Sequence, residues 1–208
     1  MTTTFTLDMT MMLAVHDAFR RDLERVATMA ARTDGWELFK KFLHAHHVAE
    51  DDALWPVLRQ ELADRPEHVA LLDEMEAEHA ALGPVLETID NALQRGASAL
   101  PARAELATLL EEHLTHEEER ALPVVDATLD SEQWMRFGEA AATRIGPDMP
   151  VFLPWLLDGA DAKRTDAIIG QLPSSAQRTY RNEWQPAYAA KKWWATPNPQ
   201  SGPQQTRT

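Results

Sequence analysis

The sequence predicts an all-α protein built around a duplicated pair of helices. Two observations carry this prediction: apolar residues recur at spacings of three and four, and one pattern of histidine and glutamate occurs twice. His46 and His113 are each followed by a glutamate four positions later and by a proline ten positions later. His16 and His79 lie in matching segments upstream, so the order of a lone histidine and then His-x-x-x-Glu is repeated. A pseudo-twofold helical bundle follows from this duplication.

The first two helices are marked by apolar spacing and by capping residues. Asp8 or Thr10 can cap a helix that runs to about Arg32. The apolar residues that define its buried stripe are Met12, Val15, Phe19, Leu23 and Val26. The second helix is predicted to open with Asp34-Gly-Trp-Glu37, an aspartate variant of the capping box, and to run to about Ala63.

Proline and glycine mark the limits of the next two helices. The third is predicted to begin near Pro66, to bend at the Gly83-Pro84 pair and to stop at Gly96. The fourth is predicted to start after Pro101 and to end near Leu129.

The remaining chain is predicted to form a helical extension. A fifth helix is expected at 131–145, capped by Ser131, and shorter helices at 161–169 and 174–194. The segment 146–155 contains too many prolines for one helix and is too apolar for a linker, so we expect it to pack on the bundle. The predicted units are a bundle at 1–130, an extension at 131–195 that packs on it, and a disordered tail at 196–208.

Composition excludes several classes of function. A net charge of −13 argues against binding to nucleic acid or to an anionic membrane. The chain has no cysteine, so thiolate catalysis, iron–sulfur clusters and disulfides are excluded. It also has no apolar run of about 18 residues and no basic N-terminal segment typical of a signal peptide. A soluble cytoplasmic protein is therefore expected.

The His-x-x-x-Glu pairs have the geometry of metal ligands. Residues four apart on an α-helix lie on one face, so each pair directs an imidazole and a carboxylate toward one point. A single such pair is more often an ordinary surface pair, and a single histidine on an apolar stripe is more often a hydrogen-bonded core residue. Six such residues in a duplicated register favour a metal site instead. The six candidate ligands are His16, His46, Glu50, His79, His113 and Glu117.

These residues, with the acidic run and proline that follow each His-x-x-x-Glu, resemble the bacterial hemerythrin-like proteins of the HHE cation-binding family. The resemblance covers about residues 8–130. It implies an antiparallel up-down four-helix bundle that holds a non-haem di-iron centre. The oxygen-carrying hemerythrins have five histidines at this centre, whereas the repeat supplies four, which argues against reversible O2 carriage.

A two-metal centre follows if the ligands divide by the pseudo-symmetry. His16 and His46 would then bind one ion and His79 and His113 the other, with both glutamates bridging. A bridging oxo or hydroxo group brings each ion to five ligands and leaves one position open for peroxide, O2 or nitric oxide. Imidazole and carboxylate suit iron, with manganese or zinc less favoured, and disfavour Cu(I).

Other polar residues near the motifs fall outside the repeated positions. His47 and His116 are expected to be outer partners of the ligands at most, and His68 is expected to face solvent. The acidic residues beside the motifs are expected to form a solvated face, the alternative being that one of them orients a ligand histidine; they are Asp51, Asp52, Glu118 and Glu119.

Two main functions remain open, and they belong to different classes. The first is a di-iron enzyme that decomposes hydrogen peroxide or reacts with nitric oxide. Peroxide is favoured because it supplies both its own oxidant and its own reductant. The second is a non-catalytic sensor or store of O2, nitric oxide or iron. A ferritin-like iron oxidase ranks last, because only Glu76-x-x-His79 fits its ligand pattern. Protein partners are not predicted.

Overall fold

The computed structural model describes residues 5–196, and all regular elements in that range are helices. They are α1 (Thr10–Thr28), α2 (Asp34–Ala53), α3 (Trp55–Glu61), α4 (Pro66–Gln94), α5 (Leu100–His116), α6 (Leu122–Thr128), α7 (Ser131–Ile145), α8 (Met149–Leu156), α9 (Ala162–Gly170), α10 (Ser174–Thr179) and α11 (Gln185–Ala190). Two π-helical turns, Glu117–Ala121 and Tyr180–Trp184, and a 3-10 turn, Gly146–Asp148, join neighbouring helices. The predicted all-α fold is confirmed.

Helices α1, α2, α4 and α5 form a four-helix bundle, in which each helix contacts two of the others. Short loops join α1 to α2 and α4 to α5, so consecutive helices run antiparallel. The predicted apolar stripe of α1 is buried along its whole length. Both α3 and α6 continue the helices that precede them, beyond the prolines of the repeated motifs.

In two helices the capping residue lies one position before the predicted one. The side chain of Thr33, not Asp34, accepts the backbone N–H of Trp36 at 3.1 Å. At α7, Asp130 replaces the predicted Ser131 and forms a capping box with Gln133. In both cases two adjacent residues can cap, and the one with extended backbone conformation does so.

Three prolines close to the polar layer, Pro56, Pro84 and Pro123, have different effects on the backbone. The long second helix predicted from the sequence is divided, because α2 ends at Ala53 and Pro56 lies at the start of α3. Near Pro123 the chain instead forms the π-helical turn. Pro84 lies inside α4, where it removes one backbone N–H donor, and the helix continues past it to Gln94.

The apolar core has two parts, separated by a polar layer. In α1, Met12 belongs to one buried cluster and Phe19 to the other, and His16 lies between them. Helices α2 and α4 also place a histidine between the two clusters; in α4, His79 lies between Met75 and Leu82. Where α5 continues into the π-helical turn, Glu117 lies between Leu114 and Ala121. The packing of the bundle therefore brings the polar residues of four helices into one layer.

The extension packs on the bundle through α7 and α8, which contact α2 and α1 respectively. The segment 146–155 is more regular than predicted, because α8 is a helix from Met149 to Leu156. Pro150 lies in its first turn, where a missing N–H costs little. Burial of Phe152, Leu153 and Trp155 offsets the cost of Pro154 within the helix.

A buried carboxylate anchors α8 to α1. Asp22 is fully buried and accepts the indole N–H of Trp155 at 2.7 Å. Its other oxygen accepts from Arg21 and Arg25, both at 3.0 Å. Arg25 also pairs with Asp158 at 2.8 Å, just beyond the end of α8. These contacts hold the extension on the bundle by charge-assisted hydrogen bonds as well as by apolar packing.

The end of the described chain lies against the start of α2. The backbone N–H of Gly35 donates to the carbonyl of Trp193 at 2.7 Å, and a Cβ on Gly35 would lie 2.5 Å from the ring of Trp194. Only glycine allows this close approach. Most of the predicted disordered tail, residues 197–208, lies outside the described residues, and the division at residue 130 stays a prediction. Within residues 5–196, no helix is both long and apolar enough to cross a membrane.

Candidate metal centre

All four bundle helices contribute imidazole or carboxylate groups to the polar layer. His16 comes from α1, His79 from α4 and His113 from α5. His46, His47 and Glu50 come from α2, and Glu117 begins the π-helical turn after α5. The side chains of His16, Glu50 and Glu117 have no exposed surface. The ligand-bearing groups therefore lie in the interior of the bundle.

The first group of candidate ligands consists of His16, His46, Glu50 and Glu117, whose ligand atoms all lie within 4.8 Å of one another. The Nε2 atoms of His16 and His46 are 3.2 Å apart. The Nε2 of His16 lies 3.2 Å from a carboxylate oxygen of Glu117, and that of His46 lies 3.2 Å from one of Glu50. Two imidazoles and two carboxylates thus converge on one point.

The second group consists of His47, His79 and His113, with ligand atoms within the same 4.8 Å limit. The rings of His47 and His79 stack with centroids 3.9 Å apart, and the ring of His113 stands across that of His79 at 4.7 Å. The Nε2 of His79 lies 3.5 Å from Glu50, and the Nε2 of His113 lies 3.9 Å from Glu117. Each glutamate therefore faces both groups, as a bridging ligand would.

The structure brings together all six residues predicted from the repeat, and their role as ligands stays a prediction. They divide between the two groups as the pseudo-symmetry predicts. His47 is the difference: it faces His79 and His113 directly, so the layer holds five imidazoles rather than four. A sequence signal existed, because His47 lies three residues before Glu50 and thus on a neighbouring face. Comparison of the two repeats hid this signal, because the residue of the second repeat that corresponds to His47 is Leu114.

Acidic residues hold three of the imidazole rings from outside. Glu118 contacts the Nδ1 of His16 at 2.8 Å, and Asp51 contacts the Nδ1 of His79 at 2.8 Å. Glu78 contacts the Nδ1 of His113 at 2.9 Å. Such contacts fix the tautomer that leaves Nε2 free for a metal ion.

The prediction of a wholly solvated acidic face was therefore wrong for Asp51 and Glu118. Each of these two residues follows a glutamate of the layer and contacts the lone histidine of the other repeat. These contacts join residues that are distant in sequence, so the sequence pattern did not predict them. Asp52 pairs with Arg144 at 2.6 Å on the exposed surface, and Glu119 is exposed, as predicted. Glu78 reaches further outward, because its second oxygen lies 2.8 Å from His116. His116 is thus an outer partner of the layer.

Burial and mutual contact shift the pKa values of the groups in the layer. Burial lowers the pKa of His46 and His47, and neighbouring histidines lower it further, so both rings are neutral and able to bind a metal. Burial raises the pKa of Glu50, and the negative charge of Glu117 raises it further. Burial also lowers the pKa of His16, but the carboxylates of Glu117 and Glu118 outweigh it and raise that pKa to about 9.

Unpaired buried atoms provide a direct test of metal fit. Both carboxylate oxygens of Glu50 and of Glu117 are buried without a hydrogen-bond partner among the described residues. The Nε2 atoms of His47, His79 and His113 are also buried and have no hydrogen-bond partner among the described residues. Buried polar atoms without partners are costly unless they bind a metal. The unpaired atoms are the ones that would coordinate the ions.

Comparison with known families agrees with this geometry. The sequence profile of the hemerythrin HHE cation binding domain matches residues 7–125, which is more than half of the chain and includes all the residues of the polar layer. The chain belongs to the hemerythrin family. Searches of curated proteins and of solved structures gave no match.

Membership of the hemerythrin family accounts for the plan of the layer. The family is described by cation binding, and this hemerythrin presents two adjacent groups of imidazole and carboxylate atoms that fit metal ions. Its matched segment ends within α6, so the helices from α7 onward lie beyond the matched domain.

Proposed function

We propose that this hemerythrin holds two iron ions, oxo- or hydroxo-bridged, and decomposes hydrogen peroxide. The observation that carries the proposal is the pair of ligand groups that share Glu50 and Glu117. Nitrogen and oxygen donors suit iron, and less so manganese or zinc, and the absence of cysteine leaves the centre without a thiolate ligand. Bound iron would supply the electron transfer that the side chains themselves cannot.

The two ions would differ in their number of protein ligands. The ion at His16 and His46 would have two imidazoles and the two shared carboxylates. The ion at His47, His79 and His113 would have three imidazoles and the same carboxylates. The side of His16 and His46 therefore offers one protein ligand fewer, and iron held there would have more room for a small oxygen ligand.

The surrounding residues position the ligands and exclude water. Glu118 and Asp51 hold the lone histidines from outside, and the ring of Phe19 lies 5.5 Å from that of His46 within the apolar core. Two peroxide molecules yield two water molecules and one O2, so the reaction needs no external electron donor. This suits a chain without cysteine.

A non-catalytic protein that senses or stores O2, nitric oxide or iron is the second candidate. Its specific support is His47, because a fifth imidazole removes the ligand-count argument against reversible O2 binding. The first candidate decomposes peroxide repeatedly, whereas the second binds its ligand without converting it. A role in oxidative stress and a cytoplasmic location both stay predictions.

The deciding experiment measures O2 release from millimolar peroxide after anaerobic loading with iron. We expect sustained O2 release, its loss in His113→Ala, and no stable oxygenated form under air. His44→Ala is the control, because His44 is exposed on α2 and lies outside both ligand groups. A di-iron sample that released no O2 but bound dioxygen or nitric oxide reversibly would favour the carrier or sensor.

A further inference from the structure

The contacts that hold the two lone histidines are related by the pseudo-symmetry. The Nδ1 of His16 lies 2.8 Å from a carboxylate oxygen of Glu118. The Nδ1 of His79 lies 2.8 Å from a carboxylate oxygen of Asp51. In both cases the acidic residue directly follows the glutamate of the other repeat. The two contacts therefore match in distance and in sequence position, and only their further neighbours distinguish them.

Arg20 breaks this symmetry. It lies one turn after His16 on α1, and its Nη1 donates at 2.7 Å to Oε1 of Glu118, the same oxygen that contacts His16. The position of the second repeat that corresponds to Arg20 is Gly83, which has no side chain. Among the described residues, Asp51 forms an ion pair with no arginine or lysine. One of the two outer carboxylates is therefore bonded to a cation and the other is not.

A second carboxylate fixes the orientation of Arg20. Its Nε donates to both oxygens of Glu111, at 3.1 and 3.2 Å, so the guanidinium spans two acidic residues through different nitrogens. Asp17 is 3.9 Å away and pairs instead with Arg164. Glu111 is 52% exposed and Glu118 is 26% exposed, so water screens the charge of Glu111 more strongly. The positive charge therefore acts mainly on the oxygen that faces the histidine ring.

The charge on an outer carboxylate affects how strongly an imidazole binds a metal ion. A carboxylate that accepts the Nδ1–H of an imidazole makes the ring more basic and increases its electron donation. A cation on the same oxygen withdraws part of that negative charge. The field of the guanidinium acts directly in the same sense, because it disfavours further positive charge nearby. Both effects favour the lower oxidation state of a bound ion.

We propose that Arg20, acting through Glu118, favours the ferrous state of the iron held beside His16. Arg20 is thus a positioning residue, since it contacts no candidate ligand atom directly. The inference rests on the two-iron centre proposed above, and it does not require decomposition of peroxide. The two ions then differ in the charge that surrounds them as well as in their number of ligands.

The test measures the ratio of ferrous to ferric iron at fixed potentials in the full chain. Wild type and Arg20→Gln are loaded with iron under anaerobic conditions, their iron content is measured, and a redox titration is followed by Mössbauer spectroscopy. An outer partner changes metal affinity by about 10–100-fold, and Arg20 is one contact further out. We expect the ratio to fall by about three- to tenfold in Arg20→Gln, which corresponds to about 30–60 mV for a one-electron couple.

Two more variants separate the effect of charge from that of structure. Arg120→Gln removes the same charge from an exposed arginine on the π-helical turn after α5, and it should change the ratio by less than about twofold. Glu118→Gln keeps an oxygen that can accept from His16 but removes the negative charge, so it should raise the ratio. Both Arg20→Gln and Glu118→Gln break the same ion pair. A purely structural role of that pair would therefore shift both variants in the same direction.

Three results would overturn the proposal. One is an unchanged or higher ratio in Arg20→Gln. Another is an equal fall in Arg20→Gln and Arg120→Gln, which would indicate the general field of surface charge. The third is a ratio in Glu118→Gln at or below that of the wild type, which decides the matter even if Arg20→Gln does not fold. Circular dichroism checks the folding of each variant.

The outcome is distinguishable from failure of the proposed function. A wild type that binds no iron would overturn the two-iron centre, and this inference with it, when the iron content is measured. A wild type that binds iron but releases no O2 from peroxide would refute the catalytic proposal alone, because the ratio of ferrous to ferric iron is measured without peroxide.

Discussion

Replacement of Glu50 by glutamine should separate metal binding from stability. The carboxylate of Glu50 is fully buried, and neither of its oxygens has a hydrogen-bond partner among the described residues. In the metal-free protein this group is a cost to folding, because burial and the charge of Glu117 raise its pKa. Glutamine keeps the shape but removes the charge and the ability to bridge two ions.

The magnitude follows from linkage between metal binding and folding. A metal ion at one hundred times its Kd adds about 2.7 kcal/mol to the free energy of unfolding. For a chain of 208 residues, this corresponds to a rise in Tm of roughly 5–11 °C. We expect this rise in the wild type and its loss in Glu50→Gln. Without metal, the variant should be at least as stable as the wild type.

Thermal unfolding followed by circular dichroism, with and without Fe(II) under anaerobic conditions, measures both quantities. Glu87→Gln is the control, because Glu87 is exposed on α4, and it should keep the full metal-dependent shift. Glu117→Gln provides a contrast: Glu117 lies 3.2 Å from His16, so its loss should lower stability even without metal. An undiminished metal-dependent shift in Glu50→Gln would refute the bridging role.

Three further predictions concern single side chains. Glu118→Ala should weaken metal binding by about 10–100-fold, because the ring of His16 loses its outer partner, whereas Glu119→Ala should not; metal titration of both variants checks this. His47→Ala should retain about one tightly bound iron per chain, and the control His44→Ala should retain two, as measured by elemental analysis. Two tightly bound ions in both variants would show that His47 is not a ligand. Asp22→Ala should lower the free energy of unfolding by about 2 kcal/mol, because the buried indole of Trp155 loses its acceptor, whereas Arg21 and Arg25 lose one of several; urea denaturation measures the loss, and a change below about 0.5 kcal/mol would contradict it.

The sequence alone was sufficient for the bundle and for six residues of the polar layer. Its apolar spacing defines the buried face of α1, and residues four apart on a helix share a face whatever surrounds them. His46 and Glu50 therefore had to point the same way, as did His113 and Glu117. Duplication of the pattern added the partner histidines on the other two helices.

Secondary-structure prediction from neighbouring residues was less reliable where a tertiary contact offset the energetic cost of a proline in a helix. The prolines of segment 146–155 argued against a helix, yet α8 forms there because its apolar side chains become buried against the bundle. Trp155 illustrates this, since its indole reaches Asp22, which lies 133 positions earlier in the chain. No pattern of neighbouring residues in the sequence predicts that contact.

Only the tertiary structure decided which polar residues next to the repeated positions contact the layer. His47 lies beside His46, Asp51 beside Asp52 and Glu118 beside Glu119, and each pair has similar chemistry. Neighbours on a helix are about 100° apart around its axis, so their roles depend on how each helix is rotated against the others. That rotation is set by packing of the two apolar clusters on either side of the layer. The spacing within one helix therefore determined the pairs of candidate ligands, and the packing between helices determined the position of the fifth imidazole and of the acidic residues that contact the rings.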